Sequence, residues 1–452
     1  MIRNNVFENF PQISKNEHVK MIESGDPRID FDFVNLPIDE VRIIRKDHDK
    51  ILLLKCNGRS FEYWSSQNEL VPPWITNWYQ LKDYNLIKLE NDLLKELIES
   101  CVVKSGNLNK FCKKVNMGYP SFWHTLKGNI KMVSVKKLKK LSHFLDMPYD
   151  FFNDKMVELR KGSKASIKKP KFPINLNSPE GGKLLGAVVS DGCLYKDKKA
   201  RGVIRTKYSN DDSELIGIFK KNIQKIFGDV HVQSWNERNC TTLRIGSSII
   251  GNSLYKVGGI IGAKCKVDGP TPWLVRNGGL EIKRNYLRIV FSDEGSVGRS
   301  RKYPYIILSR YKHITKMLKR KQIEILDKLI EPHMKINRFP TGHVIKRLRI
   351  RKILDLLEEN DNKISNGITY ILSEKSILKL LLNESEMLSE DFGIENNTYL
   401  IGLTKTQKGN YSAESSLVIR KKESVIKFKD EIGFAATKKH KKLENYLSKI
   451  GG

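Results

Sequence analysis

An α+β fold is predicted for this 452-residue chain from two observations. The first is a duplicated segment. LLGAVVSDG at 184–192 and LRIVFSDEG at 287–295 are both apolar runs closed by an acid and then a glycine. The second is a loose repeat of strand-like and helix-like stretches after each run, with short amphipathic helices ahead of both. Each run makes about two and a half helical turns at roughly 3.6 residues per turn, so its acid emerges at the end of a buried helix.

Residues 1–85 read as a small α+β module of no evident role. VRIIR and ILLLK, separated by KDHDK, predict a hairpin at 41–55, and Trp64, Trp74, Trp78 and Tyr79 are read as its core rather than as base-stacking residues. Residues 86–158 read as consecutive short helices. Leu89, Leu93, Leu94, Leu97 and Ile98, then Leu108, Phe111, Cys112 and Val115, recur at helical spacing. Asn116-Met117-Gly118 makes a turn, Pro120 opens the next helix with Phe122, Trp123 and Leu126, and Ser134 can cap a fourth. LNKFCKKVNMGYPSFWHTLKG resembles a helix-turn-helix of the lambda-repressor-like type, whose second helix would offer Ser121, His124, Thr125 and Lys127 to a major groove. A helical bundle used only for packing is the competing reading. Lys136, Lys137, Lys139 and Lys140 would line a solvated face in either case. KGSKASIKKPKFP lacks periodicity and makes 159–176 a basic linker.

From 177 onward the chain repeats itself. The first half (177–282) offers a basic strand with Arg201, Arg205 and Lys207, a helix at about 212–226, a hairpin from VHVQSW to TTLRIG, and a helix ending at Ile261-Gly262. The second half (283–452) offers YLIGLTKT, a QKGN turn, SSLVIR and a helix ending at Ile432-Gly433. From its acid to its Ile-Gly, the second half is about twice as long as the first. It must carry an insertion, placed in the basic helical segment at about 310–362.

Lys and Arg number 81 against 51 Asp and Glu, a net charge of +30, with pI ≈ 9.7. Such an excess is the footprint of a polyanion, and double-stranded DNA is the expected partner. No apolar run is long enough to span a bilayer, and MIRNNVFENFPQI has no basic-then-apolar signal pattern, so a cytoplasmic protein without membrane association is expected. Six cysteines lie scattered without a CxxC pair, which predicts free thiols and no zinc.

Two acids meeting at one point suit a divalent metal held against a phosphodiester. Around them, KLLGAVVSDGCL (183–194) and YLRIVFSDEGSV (286–297) resemble the two motifs of the LAGLIDADG (DOD-type) homing endonucleases in their single-chain form. The resemblance covers roughly 177–452. It implies a pseudo-symmetric pair of αββαββα halves, a monomer through this internal pseudo-dimer, and site-specific DNA cleavage with Mg2+ or Mn2+ and no small-molecule cofactor. By register the metal-binding acids are Asp191 and Glu294, with Asp293 a lesser ligand; backbone carbonyls of Ser190 and Asp293 are further ligands by the same resemblance.

The resemblance also implies a lysine beside the attacked phosphate. Lys264 and Lys266, then Lys438, Lys439 and Lys442, follow the Ile-Gly ends; Lys264 and Lys438 stand for the two halves, although spacing does not separate the neighbours. Target reading falls to the β-ribbons, with Arg201, Arg205, Lys207, Gln233, Arg244, Lys405 and Arg420 as contacts. The family favours glycine where the motif helices touch. Gly186 and Ser190 fit this, but Ile289 stands in the second motif, which allows ridge-in-groove packing and a wider, less active site. A non-cleaving regulator or RNA maturase on the same fold is the alternative function. An intein is disfavoured, since splicing needs a Cys or Ser first and an Asn last, where Met1 and Gly452 stand.

Overall fold

The structure is a computed structural model that describes the backbone of residues 38–46, 49–56, 59–66 and 69–71. It describes backbone and side chains for 74–161, 165–197, 203–237, 239–300, 303–338, 344–360 and 363–449, apart from the side chains of Arg338 and Val344. The class is α+β. β1 (Ile38–Lys46), β2 (Asp49–Cys56), β3 (Arg59–Ser66) and β4 (Glu69–Val71) form an antiparallel sheet in sequence order, so the expected hairpin is β1–β2 with Ile43 opposite Leu52. The Trp64 side chain lies outside the described residues. Trp74, Trp78 and Tyr79 are buried, and the Trp78 ring meets Tyr79, Tyr149 and Phe152 edge-on.

After β5 (Ile75–Thr76) and β6 (Leu86–Leu89) come helices α1 (Leu93–Ser105), α2 (Leu108–Lys114) and α3 (Tyr119–Leu126). Strand β7 (Val133–Ser134) and α4 (Val135–Phe144) complete this module. The caps are local. Asn107 accepts from the Lys110 amide and Ser134 from the Lys137 amide, while Asn116 takes positive φ in the α2–α3 turn. Two expectations need correcting here. Lys139 is buried rather than solvated, and Lys140 donates to the carbonyl of Val115 at the end of α2, so this face is partly structural. The linker is also not free chain: β8 (Met156–Arg160), β9 (Ser166–Lys168) and β10 (Ile174–Asn175) occupy it, and β10 pairs with β5.

The rest of the chain is built on two buried helices and two sheets. α5 (Pro179–Val189) leads into β11 (Gly192–Asp197), β12 (Val203–Asn210), α6 (Ser213–Phe227), β13 (Asp229–Val230), β14 (Val232–Glu237) and β15 (Cys240–Ile245). α7 (Ser248–Lys256) and the short α8 (Lys264–Val267) follow. The expected helix end at Ile261-Gly262 is thus a loop beyond α7. β13 joins β9 in a five-stranded sheet of order β13-β9-β8-β6-β7, which ties the helical module to the first half. α9 (Leu280–Glu294) then leads into β16 (Gly295–Arg299) and β17 (Pro304–His313).

Beyond β17 the chain forms β18 (Lys335–Arg338), β19 (Val344–Arg349), α10 (Ile350–Glu358) and α11 (Lys379–Glu386). It ends with β20 (Asn397–Thr406), β21 (Tyr411–Ile419), α12 (Lys422–Glu431) and α13 (Thr437–Ser448). The sheets have orders β11-β12-β15-β14 and β16-β17-β21-β20-β19-β18. The first four strands of the second follow the same plan as the first, and β19 and β18 extend its edge. The insertion therefore lies between β17 and α11, reaching beyond 362. Its buried Ile314, Leu326, Ile330, Ile353 and Leu357 form a separate core that closes on Tyr411 of β21.

What joins the halves is the contact of α5 with α9. Ser178 caps α5 and Pro179 opens it, and Gly182 and Gly186 lie four residues apart on one face. A Cβ on Gly182 would stand 2.5 Å from the Ile282 carbonyl oxygen, and one on Gly186 would stand 2.7 Å from that of Tyr286 and 3.1 Å from the Ile289 Cβ. Ile289 is thus a knob seated in the hole that Gly186 leaves. Across the pair the Ser190 hydroxyl reaches the Asp293 carboxylate.

Gly186→Ala should therefore cost about 1–3 kcal/mol through overpacking. Gly217→Ala, at an exposed site in α6 where a Cβ meets nothing within 4 Å, should stabilise by about 0.4–1 kcal/mol. Urea midpoints of the two variants check this. Equal midpoints would mean that close helix approach is not what unites the halves.

Candidate active site and DNA-facing surface

Each motif helix stops where the chain turns into a strand, and the glycine after each acid is required there. A Cβ on Gly192 would lie 2.5 Å from the Ala187 carbonyl oxygen, and one on Gly295 would lie 2.5 Å from that of Phe291. The acids before them, Asp191 and Glu294, sit at the same end of the helix pair, together with Asp293. One amide spans two of the carboxylates: Asn210 Nδ2 donates to Asp191 Oδ2 at 2.8 Å and to Asp293 Oδ1 at 3.2 Å. The Tyr208 hydroxyl also donates to Asp293 Oδ1, at 2.8 Å. Asp293, expected as the lesser ligand, is therefore linked to Asp191 through the Asn210 amide.

Glu294 is held differently. Its Oε2 lies 2.8 Å from Nη1 of Arg310 on β17 without a well-directed hydrogen bond. Arg310 Nε and Nη2 donate to the two carboxylate oxygens of Glu384 at 3.1 and 2.8 Å, and Nη1 donates to the Val189 carbonyl at 3.3 Å. Burial opposes the charge on Arg310, but Glu294 and Glu384 outweigh it and hold the guanidinium above its ordinary pKa.

Asp191 is exposed to solvent at its surface, yet protein crowds its carboxyl. Burial, followed by the charge of Glu294, pushes its carboxyl up to about 6. Burial, followed by the charge of Asp191, pushes Asp293 up to about 7, against the lowering effect of hydrogen bonds from Ser190 and Tyr208.

The lysines grip the helix ends. Lys264, at the start of α8, donates to the carbonyls of Ser190 and of Gly192 (2.9 Å). Lys439, on α13, donates to those of Ser292, Asp293 (3.2 Å) and Gly295 (2.8 Å). Lys439 thus takes the place expected of Lys438, which is exposed. Cations at the negative ends of two helices are stabilising in themselves. Burial lowers the pKa of both lysines. The Ser190 and Asp293 carbonyls, expected as metal ligands, therefore already accept from lysines, and the Ser190 hydroxyl donates to Gly186 and Asp293.

Among the described residues no group of three or more His, Cys, Asp or Glu side chains could hold a metal ion. The Asp191–Asp293 pair still fits one. It offers two hard oxygen donors with no cation bonded to either, and Mg2+ commonly takes one or two carboxylates and keeps waters and substrate phosphate.

The ribbon residues divide by strand parity. Arg205, Lys207, Gln233 and Arg244 share the open face of the first sheet, where Arg205 pairs with Asp197 at 2.7 Å and Lys207 lies over the Trp235 ring. Arg201 lies outside the described residues. Arg420 is exposed and lies over Tyr399. Lys405 is a correction: it points at the insertion and binds Asp327 and Glu331 with 12% of its side chain exposed, so it does not face a groove.

His124 on α3 and Lys127 at its C-terminal cap are exposed, whereas Ser121 accepts from Lys137 and Thr125 is buried with its hydroxyl donating to Ser121. Trp123 is exposed and stacks with Tyr119, with Lys127 4.8 Å from its ring centroid. Cys101, Cys112, Cys193, Cys240 and Cys265 are free. No helix among the described residues is long and apolar enough to cross a membrane.

No family model matches the chain, and no curated protein matches it in sequence. Among solved structures it is similar to mesophilic variants of the homing endonuclease I-DmoI, at 14% identity and a TM-score of 0.29, over 57% of this chain and 91% of that one. I-DmoI in complex with DNA and Ca gives 12%, 0.29 and the same coverage. Full-length DUF199/WhiA from Thermatoga maritima gives 10% identity and a TM-score of 0.29, over 61% and 60%.

The raised carboxyls fix the sign of a pH effect. In the unfolded chain Asp titrates near 3.9. Between about pH 4 and 7 these two sites therefore hold more protons in the folded than in the unfolded chain, and their contribution to stability falls as pH rises. In EDTA, the melting temperature should drop between pH 5 and 7.5, and Asp293→Asn should flatten that drop. A variant with the unaltered slope would show that Asp293 titrates normally.

Proposed function

We propose that residues 177–452 are a pseudo-symmetric pair of LAGLIDADG-type halves that bind double-stranded DNA and hydrolyse a phosphodiester with a divalent metal. The observation that carries this reading is the meeting of Asp191, Asp293 and Glu294 at one end of the α5–α9 pair, with two lysines beside them. Asp191 and Asp293 would hold Mg2+ or Mn2+, which when bound supplies charge relief on the phosphate and lowers the pKa of a coordinated water. Asn210 and Tyr208 orient the two carboxylates. Lys264 and Lys439 place positive charge where negative charge develops. Arg205, Lys207, Gln233 and Arg244 on one open sheet and Arg420 on the other are the proposed groove contacts. His124 on α3 and Lys127 at its C-terminal cap would add a second DNA contact, and the chain would act as a monomer.

A non-cleaving DNA-binding regulator or RNA maturase is the second reading. It is favoured by the cations already placed on Glu294 and on the motif carbonyls.

Incubation with duplex DNA flanking the protein's own gene, with Mg2+ or with EDTA, separates the two on a gel. Asp191→Asn should abolish Mg2+-dependent cleavage and leave DNA binding within a few-fold of wild type. Binding without cleavage by the wild-type chain would select the second reading.

DNA affinity should also fall steeply with salt, by about 10³–10⁵ between 50 and 200 mM if six to ten phosphates are neutralised. A flat dependence would mean that the +30 charge serves another purpose.

A further inference from the structure

We infer that Arg310 is a built-in cation that takes the Glu294 position out of metal binding, so that the chain holds one tightly bound divalent ion, on the Asp191–Asp293 side. This rests on the metal-dependent reading above and deepens it.

The two halves place a residue at the same point of their second strand. Gly192 pairs with Tyr208 and Gly295 with Leu308, so Asn210 and Arg310 both stand two residues beyond the partner of the motif glycine. Each reaches its own motif acid and also the other half: Asn210 touches Asp191 and Asp293, and Arg310 touches Glu294 and the Val189 carbonyl. The positions match, but the charges do not. On one side a neutral amide leaves two adjacent carboxylates without a bonded cation. On the other a guanidinium, always protonated, already lies against the acid.

Arg310 cannot readily leave. Its side chain is 4% exposed, and its partner Glu384 is fully buried and accepts a 3.0 Å hydrogen bond from the Tyr286 hydroxyl. Swinging the guanidinium away would strand Glu384 as an unpaired buried charge, which is strongly disfavoured. A dication bound to Glu294 would instead have to sit beside the guanidinium in surroundings that screen their repulsion poorly. At Asp191 and Asp293 the neighbouring cations, Lys264 and Lys439, are held on main-chain carbonyls rather than on the carboxylates, and a dication relieves the repulsion between the two acids.

The test is Mn2+ titration of the full-length, EDTA-stripped chain, following free Mn2+ by its electron paramagnetic resonance signal. One tight ion per chain is expected. Asp191→Asn and Asp293→Asn should each weaken it at least tenfold, whereas Glu294→Gln should leave it within about twofold. The double variant Arg310→Gln with Glu384→Gln, which removes the cation and its buried partner together, should admit a second ion.

Two ions of similar affinity in the wild-type chain would overturn the inference and leave the cleavage reading standing. The same holds if Glu294→Gln weakens binding as much as Asp191→Asn. A folded double variant that still takes one ion would overturn Arg310 as the cause. No ion at all would overturn the inference and the metal-dependent reading together.

Discussion

Everything at the centre of this protein depends on how closely two helix backbones approach. Gly182 and Gly186 let the carbonyls of Ile282 and Tyr286 come to where a side chain would otherwise stand. That approach brings the helix ends together, so a hydroxyl on one helix reaches a carboxylate on the other. Three acids then lie near enough for the charge of one to raise the carboxyl of another. A looser pair of helices would leave the same residues as unrelated, solvated turn acids.

The concentration of negative charge is managed by cations of fixed position. Lys264 and Lys439 sit on the carbonyl ends of the two helices, Arg310 on Glu294, and Asn210 between the remaining carboxylates. The lysines thus have a structural use as helix caps, whatever they do for a phosphate. The two halves solve the same local problem with different residues, and this difference, more than the backbone plan, sets what the site can hold.

Much of this was legible in the chain, and the limits have physical reasons. The motif acids stood out because an apolar helical run, an acid and a glycine occur twice, and the α6 and β14–β15 segments followed from simple periodicity. Lys439 could not be told from Lys438 by spacing, because neighbouring residues of a helix differ by about 100° and only the docked helix shows which one points inward. Lys405 was misplaced because strand parity decides the face, and the β20 bulge near Leu400 and Gly402 hides that parity. The linker was misread because β9 draws its partner β13 from far along the sequence, and a three-residue strand has no period to detect. Asn210 and Arg310 carried no local signal. Their importance arises from a register between two strands and from a buried partner, Glu384, supplied by a distant helix.

The residues that make the motif recognisable are under two unlike pressures. Gly192 and Gly295 are held by collision, since any larger residue would strike the preceding helical turn. Asp191 and Asp293 are opposed by the fold, which crowds like charges in a place that favours their neutral forms. A lineage that no longer used the acids could lose them and gain stability, yet it would keep the glycines. In chains of this architecture, persistence of the glycine framework alone therefore reports only that the helices still pack, whereas the crowded aspartates report a benefit large enough to offset their electrostatic strain.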